Sequence, residues 1–274
     1  MITIANEPMI PVLKSLWIEA FGDSDAYVGF FLDHRFNDIT TFVYLVDNLP
    51  VSMAFVFDEE LYYKGDYVKG GYIYGVATGG DHRGKGYSTQ ILEHIHTLYP
   101  TTFLVPATES LFDFYEKKGY KTAFTINEMQ FSLCEIEPSK THYTLVPISP
   151  EDYKIFRDAS FQDEGYIRWS LSSIAYTLAE NEYWRGKALK VAALNGSSKE
   201  DILLYRCAKD QVYIKETTLS GQELLDISYL LMKEHQADKC NIRLPYDLKS
   251  NGKRFGMLHS SFEVENGYCN LVLD

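Results

Sequence analysis

The stretch YIYGVATGGDHRGKGYSTQILEHI, at residues 72–95, decides the fold, because a β-rich run stops at a glycine-dense turn and a helix begins at once. Gly84 and Gly86 have no side chain to hold a ligand away from the backbone, so N–H groups from Gly84 to Thr89 can point at one oxyanion. Arg83, Lys85 and the helix dipole add positive charge. The pattern predicts a phosphate-binding site, although the same glycines are also typical of a tightly packed strand–turn–helix corner.

Two common nucleotide sites fit this stretch poorly. Residues 79–85 read G-x-x-x-x-G-K, but a P-loop needs Ser or Thr next, to hold magnesium, and the chain has Gly86. A dinucleotide site needs G-x-G-x-x-G, and Thr89 stands at the third glycine. These mismatches argue against both kinds of nucleotide site.

The order of predicted elements resembles the GNAT acetyltransferase superfamily. It runs strand (72–78), Arg83-Gly84-Lys85-Gly86, helix (87–98), strand (102–105), helix (110–118) and Gly119-Tyr120. The family pattern is Q/R-x-x-G-x-G/A; this chain has Asp81 at its first position, and Arg83 restores a cation nearby. WIEAFGDSDAYVGFFLDHRF at residues 17–36 and VSMAFVF at residues 51–57 are similar to the Eis-type branch, most clearly in the first half.

The resemblance implies acetyl-coenzyme A as cosubstrate and a set of site residues. The expected cofactor-binding residues are Val76, Ala77, Thr78, Arg83, Gly84, Lys85, Gly86, Tyr87, Ser88 and Thr89. Backbone N–H groups at residues 76–78 would polarise the thioester carbonyl, and a phenol would protonate the leaving thiolate. Tyr115 stands at the tyrosine of the family motif Y-x-x-x-G-F/Y and is the expected catalytic acid. With 21 tyrosines in the chain, the alternative is that Tyr115 only packs in the core.

The general base is left open by the sequence. Residues 68–78 contain no carboxylate, where many GNAT enzymes have a glutamate. Asp58, Glu59 and Glu60 are candidates, but they are interpreted more simply as solvated charges at a hairpin tip. In Eis-type relatives the C-terminal carboxylate reaches the acceptor site, which makes Asp274 and water the other candidates.

An internal repeat predicts a tandem arrangement. Gly84 and Gly221 each open a predicted helix, and Gly119 and Gly256 each follow one. Both pairs are 137 residues apart, as are Phe131 and Tyr268 in the last predicted strands. We expect an α/β fold with mixed sheets (α+β), made of a catalytic GNAT domain at residues 1–139 and a degenerate GNAT-like domain at residues 140–274. Each half is expected to close its own sheet.

The second copy is predicted to lack coenzyme A chemistry and to act as a scaffold, with strands at residues 189–194, 201–207 and 211–219. Its helix starts with Ser220-Gly221-Gln222-Glu223, which offers one glycine and no arginine. Glu223 would occupy the positive end of the helix dipole and repel a phosphate. Gly252 stands at the position of Tyr115, so the second copy also lacks the phenol.

Composition predicts a cytoplasmic protein. The chain has 274 residues and 46% hydrophobic content, enough for two cores, and it shows neither a signal peptide nor an apolar run long enough to cross a membrane. Its four cysteines are scattered without a C-x-x-C, which argues against disulfides and a metal site and predicts buried thiols.

Charge favours a cationic acceptor. The net charge is −12, and residues 1–140 hold 10 Lys plus Arg against 19 Asp plus Glu. Such a surface repels nucleic acid and anionic membranes and attracts amines. The expected function is acetyl transfer from acetyl-coenzyme A to a primary amine of a small or medium-sized molecule. The sequence is also compatible with a homo-oligomer. The alternative from another class is a non-catalytic acyl-coenzyme A sensor.

Overall fold

The computed structural model describes residues 1–194, 198–247 and 252–271. The helices are α1 (Ile10–Phe21), α2 (Asp25–Arg35), α3 (Tyr87–Leu98), α4 (Glu109–Glu116), α5 (Pro150–Ser160), α6 (Leu171–Tyr183) and α7 (Gly221–Glu234). The strands are β1 (Ile2–Ile4), β2 (Thr40–Val46), β3 (Leu49–Tyr63), β4 (Asp66–Thr78), β5 (Thr102–Leu104), β6 (Lys121–Ser132), β7 (Tyr143–Pro147), β8 (Ile167–Arg168), β9 (Lys187–Ala193), β10 (Glu200–Ala208), β11 (Gln211–Thr217), β12 (Lys239–Pro245) and β13 (Lys253–His259). Within these residues no helix has the length and apolarity needed to cross a bilayer.

The chain forms two compact units that are each assembled from two segments. Met1–Ala123 and Phe255–Glu265 form the first, and Phe124–Arg254 and Asn266–Asp274 form the second. The units therefore depart from a single division at residues 139 and 140, because residues 124–139 lie in the second unit and residues 255–265 in the first.

The first unit is a mixed sheet covered on both faces. Its order is β1, β2, β3, β4, β5 and then β13, and β4 and β5 are the parallel pair. Helix α3 buries Ile91, Leu92 and Ile95 against one face, and each such side chain contributes about 1.5–3 kcal/mol. Side chains alternate along a strand, so Ala54 and Val56 of β3 lie in the core under α3 and Phe55 lies on the opposite face of the sheet, where it packs on Trp17 of α1.

The second unit has a sheet of the same kind. Its order is β6, β12, β11, β10, β9 and β7, with β11 and β12 parallel. Helix α7 buries Leu224, Ile227 and Leu231 in a core with Val212 and Ile214.

The core of the second unit contains a buried ion pair. Arg157 Nε lies 3.0 Å from Glu216 Oε2, and both side chains have no exposed surface. The hydroxyl groups of Tyr153 and Tyr268 each donate to Glu216 at 2.9 Å. Such a pair tolerates burial because the carboxylate is bonded from several sides, so loss of one partner should be strongly destabilising.

The last strand of each half lies in the sheet of the other unit, so the expectation that each half closes its own sheet is wrong. β6 pairs antiparallel with β12 from Ile126↔Pro245 to Ser132↔Lys239. β13 pairs antiparallel with β5 through Met257↔Leu104, Leu258↔Phe103 and His259↔Thr102. Without these partners β5 and β12 would each leave one row of backbone N–H and C=O groups unpaired.

The two units repeat one local design. In each, an antiparallel hairpin carries one extra residue in its second strand, between Tyr74 and Ala77 of β4 and between Ile214 and Glu216 of β11. A helix and a parallel strand follow in both units. The predicted strands at residues 189–194, 201–207 and 211–219 correspond to β9, β10 and β11.

Three details of the expected repeat differ. Gly256 lies inside β13 instead of following a helix, and Tyr268 lies outside the strands. Residues 248–251, where a second helix was expected to run, are outside the described residues, while Gly252 is not helical. Among the cysteines, Cys134 is exposed, contrary to the expectation that all four are buried.

Candidate active site

The candidate site begins at a β-bulge in β4, beyond which β4 pairs with β3 but no longer with β5. Gly75 has φ +60°, and an added Cβ would lie 2.7 Å from the Phe55 ring, so only glycine fits at this bulge. The parallel pairing of β4 with β5 is limited to Gly71↔Thr102 and Tyr72↔Phe103. Beyond Tyr72 these two strands are no longer paired, so residues 76–78 of β4 have β3 as their paired neighbour on one side and no pairing with β5 on the other.

The three predicted residues at the end of β4 are firmly placed. Ser52 Oγ donates to the Ala77 carbonyl and lies 2.8 Å from Thr78 Oγ1. Ala77 is buried, and Val76 packs against the core that also holds Tyr115. A backbone held in this way is preorganised to direct N–H groups at a developing negative charge.

A short 3-10 turn at Gly80–His82 connects β4 to the loop. Glu19 Oε1 of α1 accepts from the Gly80 N–H at 2.7 Å, and a Cβ at Gly80 would meet that same oxygen at 2.7 Å. Reasoning from the sequence missed Glu19, because its contact with the loop spans 61 residues.

Gly84 and Gly86 adopt the left-handed conformation that favours glycine. Their φ values are +75° and +78°, and a Cβ added at either would meet no protein atom within 4 Å. Gly86 is the N-cap of α3 and provides no side-chain cap. The first N–H groups of α3, from Tyr87 to Thr89, are therefore available to an anion.

Arg83 connects the loop to the strand. Its Nε donates to the Thr78 carbonyl at 3.1 Å, which orients the guanidinium beside the end of β4. Arg83 and Lys85 are exposed, while Tyr87 stacks on Tyr44 of β2 with ring centroids 4.3 Å apart. Two cations beside an uncapped helix start fit a doubly charged phosphate group.

Tyr115 lies on α4 in the apolar core beneath α3. It is 8% exposed, and its ring centroid lies 5.6 Å from that of Tyr120. Burial raises the pKa of Tyr115 to about 12, so the phenol holds its proton more firmly than an exposed tyrosine does. Within the described part of the chain its hydroxyl has no hydrogen-bond partner, which leaves the proton available for transfer.

A second group of polar side chains lies beside Tyr115. The Tyr120 hydroxyl is 2.9 Å from Thr102 Oγ1 and 3.0 Å from His96 Nε2. His96 stacks on His259 of β13 with ring centroids 3.8 Å apart and planes 5° apart. Burial, followed by the neighbouring His259, lowers the pKa of His96 to about 4.

The three acidic candidates for a base are not at a hairpin tip. Asp58, Glu59 and Glu60 lie within β3, opposite Gly71, Gly70 and Lys69, while the turn of that hairpin is at Lys64 and Gly65. Asp58 is exposed but Glu59 is only 4% exposed, so the interpretation of all three as solvated charges is wrong for Glu59. Asp274 lies outside the described residues, and the base stays open.

Comparison with known proteins supports the class of the first unit. Residues 2–123 match the family model of the acetyltransferase (GNAT) domain. This segment contains β4, the glycine loop, α3 and Tyr115. Over residues 2–123 the resemblance to the GNAT acetyltransferase superfamily is confirmed, and with it the acyltransferase class of enzyme.

Solved structures share the fold across nearly the whole chain. A probable N-acyltransferase from Enterococcus faecalis superposes with a TM-score of 0.75 at 15% identity, covering 94% of this chain and 71% of that one. A GCN5-related N-acetyltransferase from Anabaena variabilis gives 0.74 at 15% identity, covering 94% and 72%. Eis1 from Mycobacterium abscessus gives 0.68 at 12% identity, covering 95% and 73%. No curated protein sequence matches the chain significantly.

Proposed function

We propose that this protein transfers the acetyl group of acetyl-coenzyme A to a primary amine of a small or medium-sized, cationic acceptor. One observation carries the proposal. A bulged strand parts from its parallel neighbour and leads, through two left-handed glycines, into a helix whose start has no cap. This arrangement supplies N–H groups both for a thioester carbonyl and for a pyrophosphate.

The roles of the residues follow from their positions. N–H groups of the α3 first turn hold the pyrophosphate, with Arg83 and Lys85 beside it. Backbone N–H groups at residues 76–78 stabilise the negative charge that develops on the carbonyl oxygen when the amine nitrogen attacks the carbonyl carbon. As the carbon–sulfur bond breaks, Tyr115 donates its proton to the sulfur. Before the attack the acceptor ammonium loses its proton to a general base, for which a carboxylate and water are the two candidates.

The acceptor class rests on charge and resemblance. The excess of carboxylates in residues 1–140 attracts amines, and the fold shared with Eis1 supports an Eis-type branch. In this proposal the second unit is the non-catalytic member of a tandem pair, because Glu223 in the first turn of α7 repels a phosphate. A cytoplasmic location and a homo-oligomer stay predictions of the sequence.

The competing function is an acyl-coenzyme A sensor, which the absence of a carboxylate at residues 68–78 favours. Thiol release measured over a panel of amines separates the two, with acetyl-coenzyme A binding measured by calorimetry in parallel. Amine-dependent thiol release supports the transferase. Tight binding with no release across the panel supports the sensor, and no binding contradicts both.

A further inference from the structure

The second unit contains a cleft of about 770 Å³ at the place that corresponds to the coenzyme A site of the first unit. The parallel pairing of β11 with β12 ends at Ile214↔Ile242, although the strands continue to Thr217 and Pro245. The cleft opens where they part, at the start of α7. The scaffold role expected from the sequence does not account for such a space.

The walls of the cleft are mostly apolar. Six of the side chains that line it are Phe131, Phe161, Leu219, Leu224, Leu225 and Leu244. The lining residues come from β6, the end of α5, β10, β11, the start of α7 and β12, so the cleft is built from six elements of one unit. Its volume falls in the range of small-molecule sites, which combine apolar walls with few polar groups.

One end of the cleft carries excess negative charge. Asp201 lines it and is 5% exposed. Lys199 Nζ lies 3.0 Å from Asp201 Oδ2 and 2.9 Å from Glu223 Oε2, so one ammonium serves two carboxylates. Glu200 is already paired with Lys190 at 2.8 Å. These five groups sum to one negative charge, which a cation would neutralise.

The same groups disfavour an anion. Glu223 lies in the first turn of α7, where a phosphate would have to bind, and repels it. Asp201 also accepts from Thr218 Oγ1 at 2.8 Å, which fixes its carboxylate in place. A carboxylate has acceptor capacity beyond these two contacts and can accept from an incoming ammonium.

We propose that this cleft binds an apolar molecule bearing a primary amine, with its body against the leucine and phenylalanine walls and its ammonium beside Asp201. The second unit is then a ligand-binding module and not only a scaffold. This inference does not depend on the proposed function of the first unit.

The test uses the full chain and three matched probes: 4-phenylbutylamine, 4-phenylbutanol and 4-phenylbutyrate. Calorimetry should show the amine binding about tenfold or more tightly than the alcohol, as expected for a charge-assisted hydrogen bond, with the carboxylate weakest. Equal affinities for all three probes would overturn the proposal.

Variants locate the binding. Leu225→Trp fills the cleft and should abolish amine binding, whereas Leu230→Trp, on the same helix but exposed and outside the cleft, should not. Asp201→Asn keeps the acceptor for Thr218 and should bring the amine and the alcohol within about threefold of each other. Unchanged amine affinity in both Leu225→Trp and Asp201→Asn contradicts the assignment.

Methyl NMR tests independently where the amine binds. Met129 lines the cleft, whereas Met53 is buried in the first unit. With labelled methionine methyl groups, the amine should shift the Met129 signal to saturation and leave Met53 in place. Shifts confined to Met53 would assign the amine to the first unit and overturn the proposal.

Discussion

Tyr115 and Tyr120 are neighbouring buried tyrosines whose hydroxyl groups differ in their contacts. Tyr120 is bonded to Thr102 and His96, whereas Tyr115 has no hydrogen-bond partner among the described residues. Both have a raised pKa because they are buried. A phenol bonded on two sides serves structure, and one that keeps its proton without a partner is available for chemistry.

Substitution of these two tyrosines separates the roles. Tyr115→Phe should lower kcat by roughly 10²–10⁴-fold with little change in stability, because it removes a proton donor and no internal hydrogen bond. Tyr120→Phe should lower the free energy of unfolding by about 1–3 kcal/mol, because it leaves the partners unsatisfied, and should retain turnover. Steady-state acetylation and urea unfolding of both variants are the measurements. A Tyr115→Phe enzyme as fast as the parent would leave Tyr115 a packing residue.

The loop glycines provide a second prediction at the same scale. Gly84→Ala and Gly86→Ala should each weaken acetyl-coenzyme A binding by about tenfold or more, because a methyl group would stand in front of the N–H groups. Both also strain a left-handed backbone, at a cost of about 1–2 kcal/mol. Gly65→Ala is the matched control, since Gly65 has φ +86° and open space around it in the β3–β4 turn. Calorimetry with a thermal melt checks this, and equal loss of affinity in all three variants would contradict the loop assignment.

At the scale of elements, the success of reasoning from sequence depended on whether the signal was local. Helix α3 runs from Tyr87 to Leu98, as the apolar spacing and the glycines before it predict. The strand exchange was not predictable in this way, because the pairing of β6 with β12 joins residues more than 100 apart. Two further features were missed for the same reason: the Glu19 contact with Gly80 and the pairing of β13 with β5.

The interpretation of Asp58, Glu59 and Glu60 failed for a different reason. A run of three carboxylates is typical of a turn, but β3 continues for 15 residues through them. The turn forms instead at Lys64 and Gly65, which both adopt positive φ. Pairing with β4 along its full length therefore outweighed the local charge pattern.

The docking of β13 against α3 predicts a pH dependence of stability. His259 of β13 stacks on His96 of α3, and Tyr120 and Gly119, neither of which carries a carboxylate, pack beside this pair. The pKa of His96 is lowered from 6.5 to about 4, and that of His259 is also lowered, so the folded state favours the neutral rings. The stability that the folded state gains by holding these rings neutral is fully present above pH 6.5, and it is lost as the pH falls from 6.5 towards 4.

His259→Phe tests this dependence, because it keeps a flat ring against His96 and removes one titrating group. The variant should lose less unfolding free energy than the parent between pH 7 and pH 5, with urea unfolding as the measurement. The control is His142→Gln, at an exposed position. A parent and a His259→Phe variant with the same pH slope would show that the pair does not couple to folding.

At the scale of the whole molecule, the exchanged strands make each unit depend on both halves of the chain. The segment that matches the acetyltransferase domain ends at residue 123 and lacks β13. Without it, Thr102, Phe103 and Leu104 of β5, all buried in the full chain, would form an open sheet edge. Exposed strand edges of this kind promote aggregation.

The same exchange predicts how fragments of the second half behave. A fragment of residues 124–274 retains β6 beside β12, whereas a fragment of residues 141–274 loses it together with Phe131 and Ile136, which pack on the α7 core. The shorter fragment should be less stable by on the order of 3–6 kcal/mol, the value of burying two such side chains. Urea unfolding followed by circular dichroism measures the difference.

Calorimetry on both fragments should show no acetyl-coenzyme A binding, because Glu223 occupies the start of α7. Equal unfolding midpoints would mean that β6 is dispensable to the second unit, and binding by either fragment would mean that the second copy has kept a coenzyme A site.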